Sequence, residues 1–446
     1  MIDERQPVGS PALLERAWSI PLRRDCLLFG LVAGWVLVLS TSFEPGLMSW
    51  DSLQQYEQGL SGRYGNWHPP VVCLLNGIVA RLAGSPWPLL VLQLFAIGMG
   101  MALLTRRAPP ARATAALAIV CGFLVAPPVW SIGVTLWKDV LVGAALLCAV
   151  ASLDAKRPAL ALGFAVLGTL CRHNAILGAL PLGVSAATHL VRDHRGRVVA
   201  GVAAVGLLAA APKLAERVLG ARDEWPLGQL LVFDEIAVYS AHPDLLASSS
   251  LHRDFTIDDL KYVYSPASLM PIFVGAGPEA HRITSASLPP RRVEIRADWI
   301  RAVGSHPLTY ARHRMLHLRS VLGADGNPVC YAFHVGIDPN PWGFKLRADG
   351  SAYQWLRGMQ EALRNTFVFR GWFWMLALVL LAAVAWRRRA PRLAIWTAAS
   401  GWLYGAAYLF VGVVCDFRFL YWPVLAAFAT AALLVRWPSR QNESEK

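Results

Sequence analysis

The sequence predicts an α-helical polytopic membrane protein with about ten transmembrane helices, an interfacial helix and a mixed external domain. Of its 446 residues, 55% are apolar and only 16% are charged, and the mean hydropathy is +0.41. Runs of roughly 15 to 22 mostly apolar residues recur along the chain, which is the length that a helix needs to cross a bilayer. This composition excludes a cytosolic enzyme, a secreted disulfide scaffold and a disordered protein.

Ten apolar segments are the predicted spans, and short ones among them are expected to be partly shielded by their neighbours. A further apolar stretch, Pro69–Ala83, is short, begins with Pro-Pro and contains Asn76 and Arg81. It therefore predicts a helix that lies along the outer interface. The predicted spans are 26–43, 86–104, 113–130, 138–153, 158–172, 175–191, 198–215, 369–386, 393–414 and 419–435.

These spans divide the chain into a membrane block of about seven helices, an external domain and a second block of three helices. The region 216–368 lacks long apolar runs and mixes short aromatic segments with Pro, Gly, Asp and His, which predicts a compact mixed domain outside the membrane. The predicted domains are a cytoplasmic N-terminus (1–25), the first block (26–215, including the first external loop 44–85), an external, periplasmic domain (216–368), the second block (369–435) and a cytoplasmic tail (436–446).

The basic charge of the chain follows this predicted topology. The net charge is +13, and the segments predicted to be cytoplasmic hold 19 of the 42 Lys and Arg but only 8 of the 29 acids. These segments thus carry +11 of the +13, as the positive-inside rule expects. The excess indicates a multi-pass membrane protein with both termini in the cytoplasm, and it removes the reason to expect nucleic acid as a partner.

The seven cysteines do not suggest a disulfide framework. Six of them, Cys415 included, lie in or beside apolar runs, and only Cys330 lies in a long polar stretch.

Polar residues cluster in turns that the topology places on the outer side. The first external loop contains Asp51, whose carboxylate could act as a general base toward a hydroxyl or hold a divalent cation. Asp51 with Gln54 also matches a capping box, in which the carboxylate would cap a helix. His68, just before Pro69-Pro70, could orient a substrate or relay a proton, or could be structural. The candidate binding residues from these turns are Tyr56, Trp67, Lys138, Asp139, Arg172, Asn174, Asp416 and Arg418.

Lys138, Arg172 and Arg418 are three cations predicted to lie at the same face. A lipid-linked phosphate at this interface needs positive charge, which Arg supplies as a planar fork and Lys as a mobile point charge. Each of these residues alone could instead extend its charged end to the interface, and Lys138–Asp139 or Asp416–Arg418 could neutralise each other.

His313 and His317 lie four residues apart and would share one face of a helix, which is a metal-binding spacing. No Glu follows His313 and no third ligand occurs at a fixed spacing, so the pattern favours a polar helix face above the membrane that contacts acceptor or phosphate.

Together, Asp51, the Trp67-His68-Pro69-Pro70 stretch, Trp137-Lys138-Asp139, Arg172-His173-Asn174 and Asp416-Phe417-Arg418-Phe419 resemble the GT-C superfamily of integral-membrane glycosyltransferases. The closest likeness is to bacterial relatives of protein O-mannosyltransferases and aminoarabinose transferases. The resemblance covers about 26–215 and 369–435.

The resemblance implies a protein of the bacterial cytoplasmic (inner) membrane that transfers a sugar, on the outer face, from a polyprenyl-phosphate donor to a glycan, lipid or protein acceptor. It implies Asp51 as the catalytic residue and Lys138, Arg172 and Arg418 as phosphate-binding residues. Many relatives carry a second acidic residue, for which Glu57 is a weak counterpart, so either no cofactor or a divalent cation is expected. A polysaccharide polymerase or ligase and a lipid-linked-glycan flippase or transporter are the alternatives.

Overall fold

A computed structural model describes residues 11–326 and 330–437, so most of the predicted cytoplasmic tail lies outside the described residues. The first α-helix lies in the predicted cytoplasmic N-terminus, and the other helices up to residue 218 coincide with predicted apolar runs or with the loops between them. Their bounds are α1 Pro11–Ser19, α2 Pro21–Ser42, α3 Trp50–Ser61, α4 Pro70–Ala83, α5 Trp87–Thr105, α6 Ala113–Val125, α7 Pro127–Gly133, α8 Lys138–Asp154, α9 Pro158–Cys171, α10 Ile176–His189 and α11 His194–Val218.

The remaining α-helices form the external region and the second block. Prolines stand at the start of several of them, where the missing backbone N–H costs nothing. Their bounds are α12 Leu227–Ala241, α13 Leu260–Val263, α14 Met270–Val274, α15 Arg292–Ser305, α16 Pro307–Val321, α17 Ser351–Leu363, α18 Gly371–Arg387, α19 Arg392–Ala406, α20 Tyr408–Val411 and α21 Tyr421–Val435.

The structure supports an α-helical membrane protein. Each predicted span overlaps a helix, but within the described residues only α2, α5, α11 and the segment Phe417–Val435 are long and apolar enough to cross a membrane alone. The pair α6–α7 is bent by 48° and adds a fifth span if it is counted as one. Length and composition therefore give four or five candidate spans rather than the predicted ten.

The external region is helical, so the prediction of a mixed domain is wrong. The described residues contain no β-strand, and only four isolated bridges occur in them. The short aromatic segments of 216–368 form short helices and 3₁₀ turns. Residues 225–302 build a separate apolar core, whereas 332–369 contribute side chains to the core of the membrane bundle.

The two ends of the bundle differ in charge. At one end, Arg106 pairs with Asp25 at 3.3 Å, and Asp154 pairs with Arg107 at 3.5 Å and Arg436 at 2.6 Å. These residues belong to the predicted cytoplasmic segments or lie at their borders. The polar turns that carry the candidate site residues lie at the opposite end.

The helices α3 and α4 cross in close contact because each has a glycine at the crossing point. A Cβ atom on Gly59 would lie 2.3 Å from the carbonyl oxygen of Cys73 and 2.5 Å from the backbone nitrogen of Gly77. Backbone atoms cannot move aside as a flexible side chain can. This contact fixes α3, which begins with the turn that carries Asp51.

We expect Gly59→Ala to destabilise the protein by about 1–3 kcal/mol, because a methyl group forces the two backbones apart. The change should lower the Tm of the purified protein in detergent. Gly30→Ala is the matched control, since Gly30 also lies in a helix and a Cβ there meets no atom within 4 Å. Equal Tm values for the two variants would contradict the packing argument.

Candidate active site

The first turn of α3 is held against the start of α8 by contacts between distant segments. The backbone N–H of Trp50 donates to Asp338 Oδ2 at 2.8 Å, and Trp137 Nε1 donates to Ser49 Oγ at 2.8 Å. An isolated bridge also joins Leu47 to Thr135. These bonds bring Asp51 to the end of the bundle at which α8 begins.

Arg418 links the first external loop to the last one. Its Nη1 lies 2.9 Å from Asp51 Oδ2, and its Nε lies 2.8 Å from Asp416 Oδ2. The guanidinium carbon lies 4.6 Å from the ring centre of Trp137, within the range of a cation–π contact. Asp416 also caps the following 3₁₀ turn by accepting from the Arg418 N–H at 3.1 Å. The guanidinium is thus held on three sides.

Arg172 is likewise held by a carboxylate, a polar side chain and an aromatic ring. Its Nη1 donates to the buried carboxylate of Asp139, and its Nε donates to Asn174 Oδ1 at 2.7 Å. The guanidinium lies 4.7 Å from the ring centre of Phe419. Asp139 therefore pairs with Arg172 and not with its sequence neighbour Lys138.

Lys138 contacts a neutral partner instead. Its ammonium donates to His68 Nδ1 at 3.2 Å, so that ring nitrogen must be the acceptor. The other ring nitrogen, Nε2, then carries the proton and donates to Gln54 Oε1 at 2.8 Å. Among the described residues, Lys138 has no carboxylate within ion-pair distance.

Burial and charge set the protonation of this cluster. Burial raises the pKa of Asp51, but the positive charges of Arg418 and Lys138 outweigh burial and hold that pKa well below its usual range. Burial and the charge of Lys138 lower the pKa of His68 to about 3. Burial raises the pKa of Asp416 to about 6. At neutral pH, Asp51 is therefore a carboxylate and His68 is uncharged.

One cavity of about 1210 Å³ contains most of the predicted site residues. Its opposite wall is partly apolar and comes from the external region and from the segment before Arg418. The predicted residues that line it are Asp51, Trp67, His68, Lys138, Arg172 and Arg418. The apolar residues of the opposite wall include Leu269, Met270, Phe273, Pro289, Pro290 and Val413.

Four predicted site residues do not line this cavity. Asp139 and Asn174 contact Arg172, and Asp416 contacts Arg418, without lining the cavity themselves. Tyr56 is buried elsewhere, with its ring 5.0 Å from that of Trp342 and 5.2 Å from that of Phe344, so the structure does not bring it together with the residues that line the cavity. Position 56 lies more than one turn beyond Asp51 and faces the 342–344 loop.

Two structural predictions about these candidates are wrong, namely that Asp51 caps a helix and that His313 and His317 lie on an exposed helix face. Ser49, not Asp51, is the N-cap of α3, and no side chain caps this helix. His313 and His317 are buried rather than on an exposed face, and His317 Nδ1 donates to the Pro266 carbonyl at 2.8 Å. Nowhere in 11–326 or 330–437 do three His, Cys, Asp or Glu side chains form a group that could hold a metal ion.

The sequence did not indicate that the external region completes the site. Glu224 Oε2 accepts from the Trp67 N–H at 3.3 Å, and Asn66 Oδ1 accepts from the Glu224 N–H at 2.8 Å. A bridge between Gly65 and Arg222 supports the same contact. These bonds attach the segment after α11 to the loop that carries His68, but neither segment has a motif that reports this long-range pairing.

A disulfide between Cys330 and Cys415 fixes the turn that carries Arg418. The sequence suggested no disulfide framework and did not indicate this single bond, which Cys415 can form because α20 ends at Val411 and leaves it outside the helix. The Phe417 N–H donates to the Tyr331 carbonyl at 3.2 Å, next to the disulfide. Asp416 and Arg418 follow directly from this anchored point.

No family model matches the chain, no curated protein matches it, and no solved structure matches it. The resemblance to the GT-C superfamily therefore remains a prediction from the motifs.

We expect an alkylating reagent to label five thiols in the denatured, unreduced protein and seven after reduction, because only Cys330 and Cys415 are paired. Intact-protein mass spectrometry counts the labels. Cys330→Ser should give six labels in both conditions. Seven labels before reduction of the unsubstituted protein would show that the disulfide is absent.

Proposed function

We propose that this protein is a membrane glycosyltransferase of GT-C type, which moves a sugar from a polyprenyl-phosphate donor to an acceptor hydroxyl. One observation carries this proposal. The carboxylate of Asp51 and three cations from distant loops line one cavity, which also has an apolar wall and is lined by three further acids and two further arginines. Such a cavity suits an amphipathic donor, with a sugar phosphate at the polar face and the start of a prenyl chain at the apolar face.

The cations differ in how much charge they can offer to a phosphate. Arg172 pairs with Asp139, and Arg418 pairs with both Asp51 and Asp416. Lys138 contacts the neutral ring of His68 and has no ion-pair partner among the described residues. Lys138 is therefore the cation best suited to the phosphate charge, while the two arginines supply donors in fixed positions.

Asp51 would receive the acceptor proton. The acceptor oxygen attacks the anomeric carbon, the bond from that carbon to the phosphate oxygen breaks, and its electron pair leaves with the polyprenyl phosphate. The hydroxyl proton passes to Asp51, and the displacement inverts the anomeric carbon. A phosphate that draws Arg418 away from Asp51 would raise the low pKa of this carboxylate and strengthen it as a base.

The charge asymmetry of the bundle supports a place in the bacterial cytoplasmic membrane. The end that carries Arg106, Arg107 and Arg436 fits the cytoplasmic side, with both termini there. The cavity would then face outward, and the disulfide between Cys330 and Cys415 fits the oxidising periplasm. In this arrangement, the shorter helices α8, α9, α10, α18 and α19 complete about ten spans, and α4 lies at the outer interface.

We expect Asp51→Asn to reduce transfer by several orders of magnitude, because the amide cannot accept the acceptor proton. The assay follows release of polyprenyl phosphate from labelled polyprenyl-phosphate sugars by purified protein in nanodiscs. Asp258→Asn is the matched control, since this exposed carboxylate lies outside the cavity. Full transfer by correctly folded Asp51→Asn would remove Asp51 from the mechanism.

The same assay separates the alternative functions. A flippase or transporter would move the lipid-linked sugar across the bilayer without releasing polyprenyl phosphate. A polymerase or ligase would join lipid-linked oligosaccharides and would not use a donor with a single sugar. Transfer to a glycan, lipid or protein acceptor, supplied in separate reactions, would identify the acceptor class.

We expect His68→Ala to raise the KM for the donor about tenfold, because Lys138 loses the acceptor that positions its ammonium group. The pH dependence of kcat/KM near pH 6.5, the usual pKa of histidine, should be the same in the unsubstituted protein and in His68→Ala, because His68 stays neutral and any inflection there belongs to Asp416. Measuring kcat/KM from pH 5 to 9 tests this. An inflection near pH 6.5 that disappears in His68→Ala would instead identify His68 as an acid or base.

A further inference from the structure

A second cavity lies at the opposite end of the bundle from the candidate active site. It has a volume of about 230 Å³ and lies between α6, α18 and α21, and we call it the Arg112/Arg388 groove after the two arginines at its head. Its apolar wall includes Ile119, Leu381 and Leu434, and Trp437 closes one end.

The two arginines of the groove are available to a ligand. Arg112 ends a 3₁₀ turn just before α6, and Arg388 follows the last residue of α18. Both side chains are exposed, and neither has a hydrogen bond or ion pair to a side chain in the described parts of the chain. Within 11–326 and 330–437, no acidic residue lines the groove. Two positive charges therefore lie together there without an acidic partner from these residues.

The position of the groove indicates what surrounds it. Val384 and Trp437 are exposed on the outer surface of the apolar helices, which a bilayer covers in a membrane protein. The volume is below the roughly 300 Å³ at which pockets enclose a drug-sized molecule. The groove therefore fits part of an acyl chain rather than a whole soluble ligand.

We propose that the Arg112/Arg388 groove binds one anionic phospholipid, with the headgroup phosphate on the two arginines and part of an acyl chain along α6, α18 and α21. Arginine forks match phosphate oxygens, and basic pockets between membrane helices attract anionic lipids. A zwitterionic lipid would bring its own ammonium group close to the two guanidinium groups. The charge of the groove thus selects an anionic headgroup.

Native mass spectrometry of the full chain, titrated with dioleoylphosphatidylglycerol or dioleoylphosphatidylcholine, tests the proposal. We expect one phosphatidylglycerol to bind more tightly than the others and phosphatidylcholine to show no such site. The double variant Arg112→Gln/Arg388→Gln should bind that lipid about tenfold or more weakly.

The matched control is Arg387→Gln/Arg392→Gln, which removes the same charge near the same end from exposed residues outside the groove. This control should keep the tight site. Equal weakening in both double variants would overturn the proposal, because it would show a general attraction to the basic end. Equal binding of the two lipids would also overturn it.

A third variant tests the acyl chain. Ala431→Phe should fill the groove without changing its charge and should weaken phosphatidylglycerol binding, whereas inorganic phosphate should not displace the lipid. Unchanged lipid binding by Ala431→Phe, or displacement of the lipid by phosphate, would show that the arginines bind a phosphate group alone. None of these readouts depends on sugar transfer, so this proposal can fail while the proposed function stands.

Discussion

The guanidinium of Arg418 joins two carboxylates that are separated by most of the chain, Asp51 after the first long helix and Asp416 before the last. This ion triad decides how the external loops are arranged, because an arginine buried without partners at the end of an apolar bundle would be strongly unfavourable. The loops must therefore close on one another to satisfy it. The disulfide at Cys415 and the stacking on Trp137 limit the positions that the guanidinium can take. The cavity forms in the space that these constraints leave open.

The site is nearly balanced in charge, although its sequence motifs suggest a positive cluster. Two of its three cations are paired with acids, and only Lys138 contacts a neutral group. A fully unpaired cluster would attract phosphate more strongly, but it would also repel itself and lose its geometry in the empty protein. Pairing fixes the arginines, whereas the ammonium group of Lys138 has no carboxylate within ion-pair distance among the described residues. Fixed donors and an available charge are both needed to stabilise a leaving phosphate with little reorganisation.

The sequence predicts those features that depend on local composition. The apolar runs predicted ten segments, each of which overlaps a helix. Alternating these segments across the membrane predicted a common side for Asp51, Lys138, Arg172 and Arg418. Features that depend on pairing between distant segments were missed. Nothing near Asp139 tells whether it binds Lys138 or Arg172, and nothing near Glu224 indicates its contact with Trp67. Tyr56 does not join the other candidate residues at the cavity, because a residue beside a motif need not lie on the same face of the helix. The number of spans is equally non-local, since a short helix crosses a membrane only when its neighbours shield its ends.

Stability alone does not explain why the chain keeps so many buried ions at this end. Replacing a buried ion pair by packed apolar groups is often neutral or stabilising, and apolar residues are abundant in this sequence. The backbone of the region is already fixed by the α3–α4 contact, the disulfide and the bridges to the external region. The ions therefore act on loops that other contacts also hold in place. What they provide is a set of oriented donors facing a cavity, and the proposed function uses such a set to hold the phosphate of the donor. Under that proposal, the ligand rather than the fold explains why the ion pairs are kept.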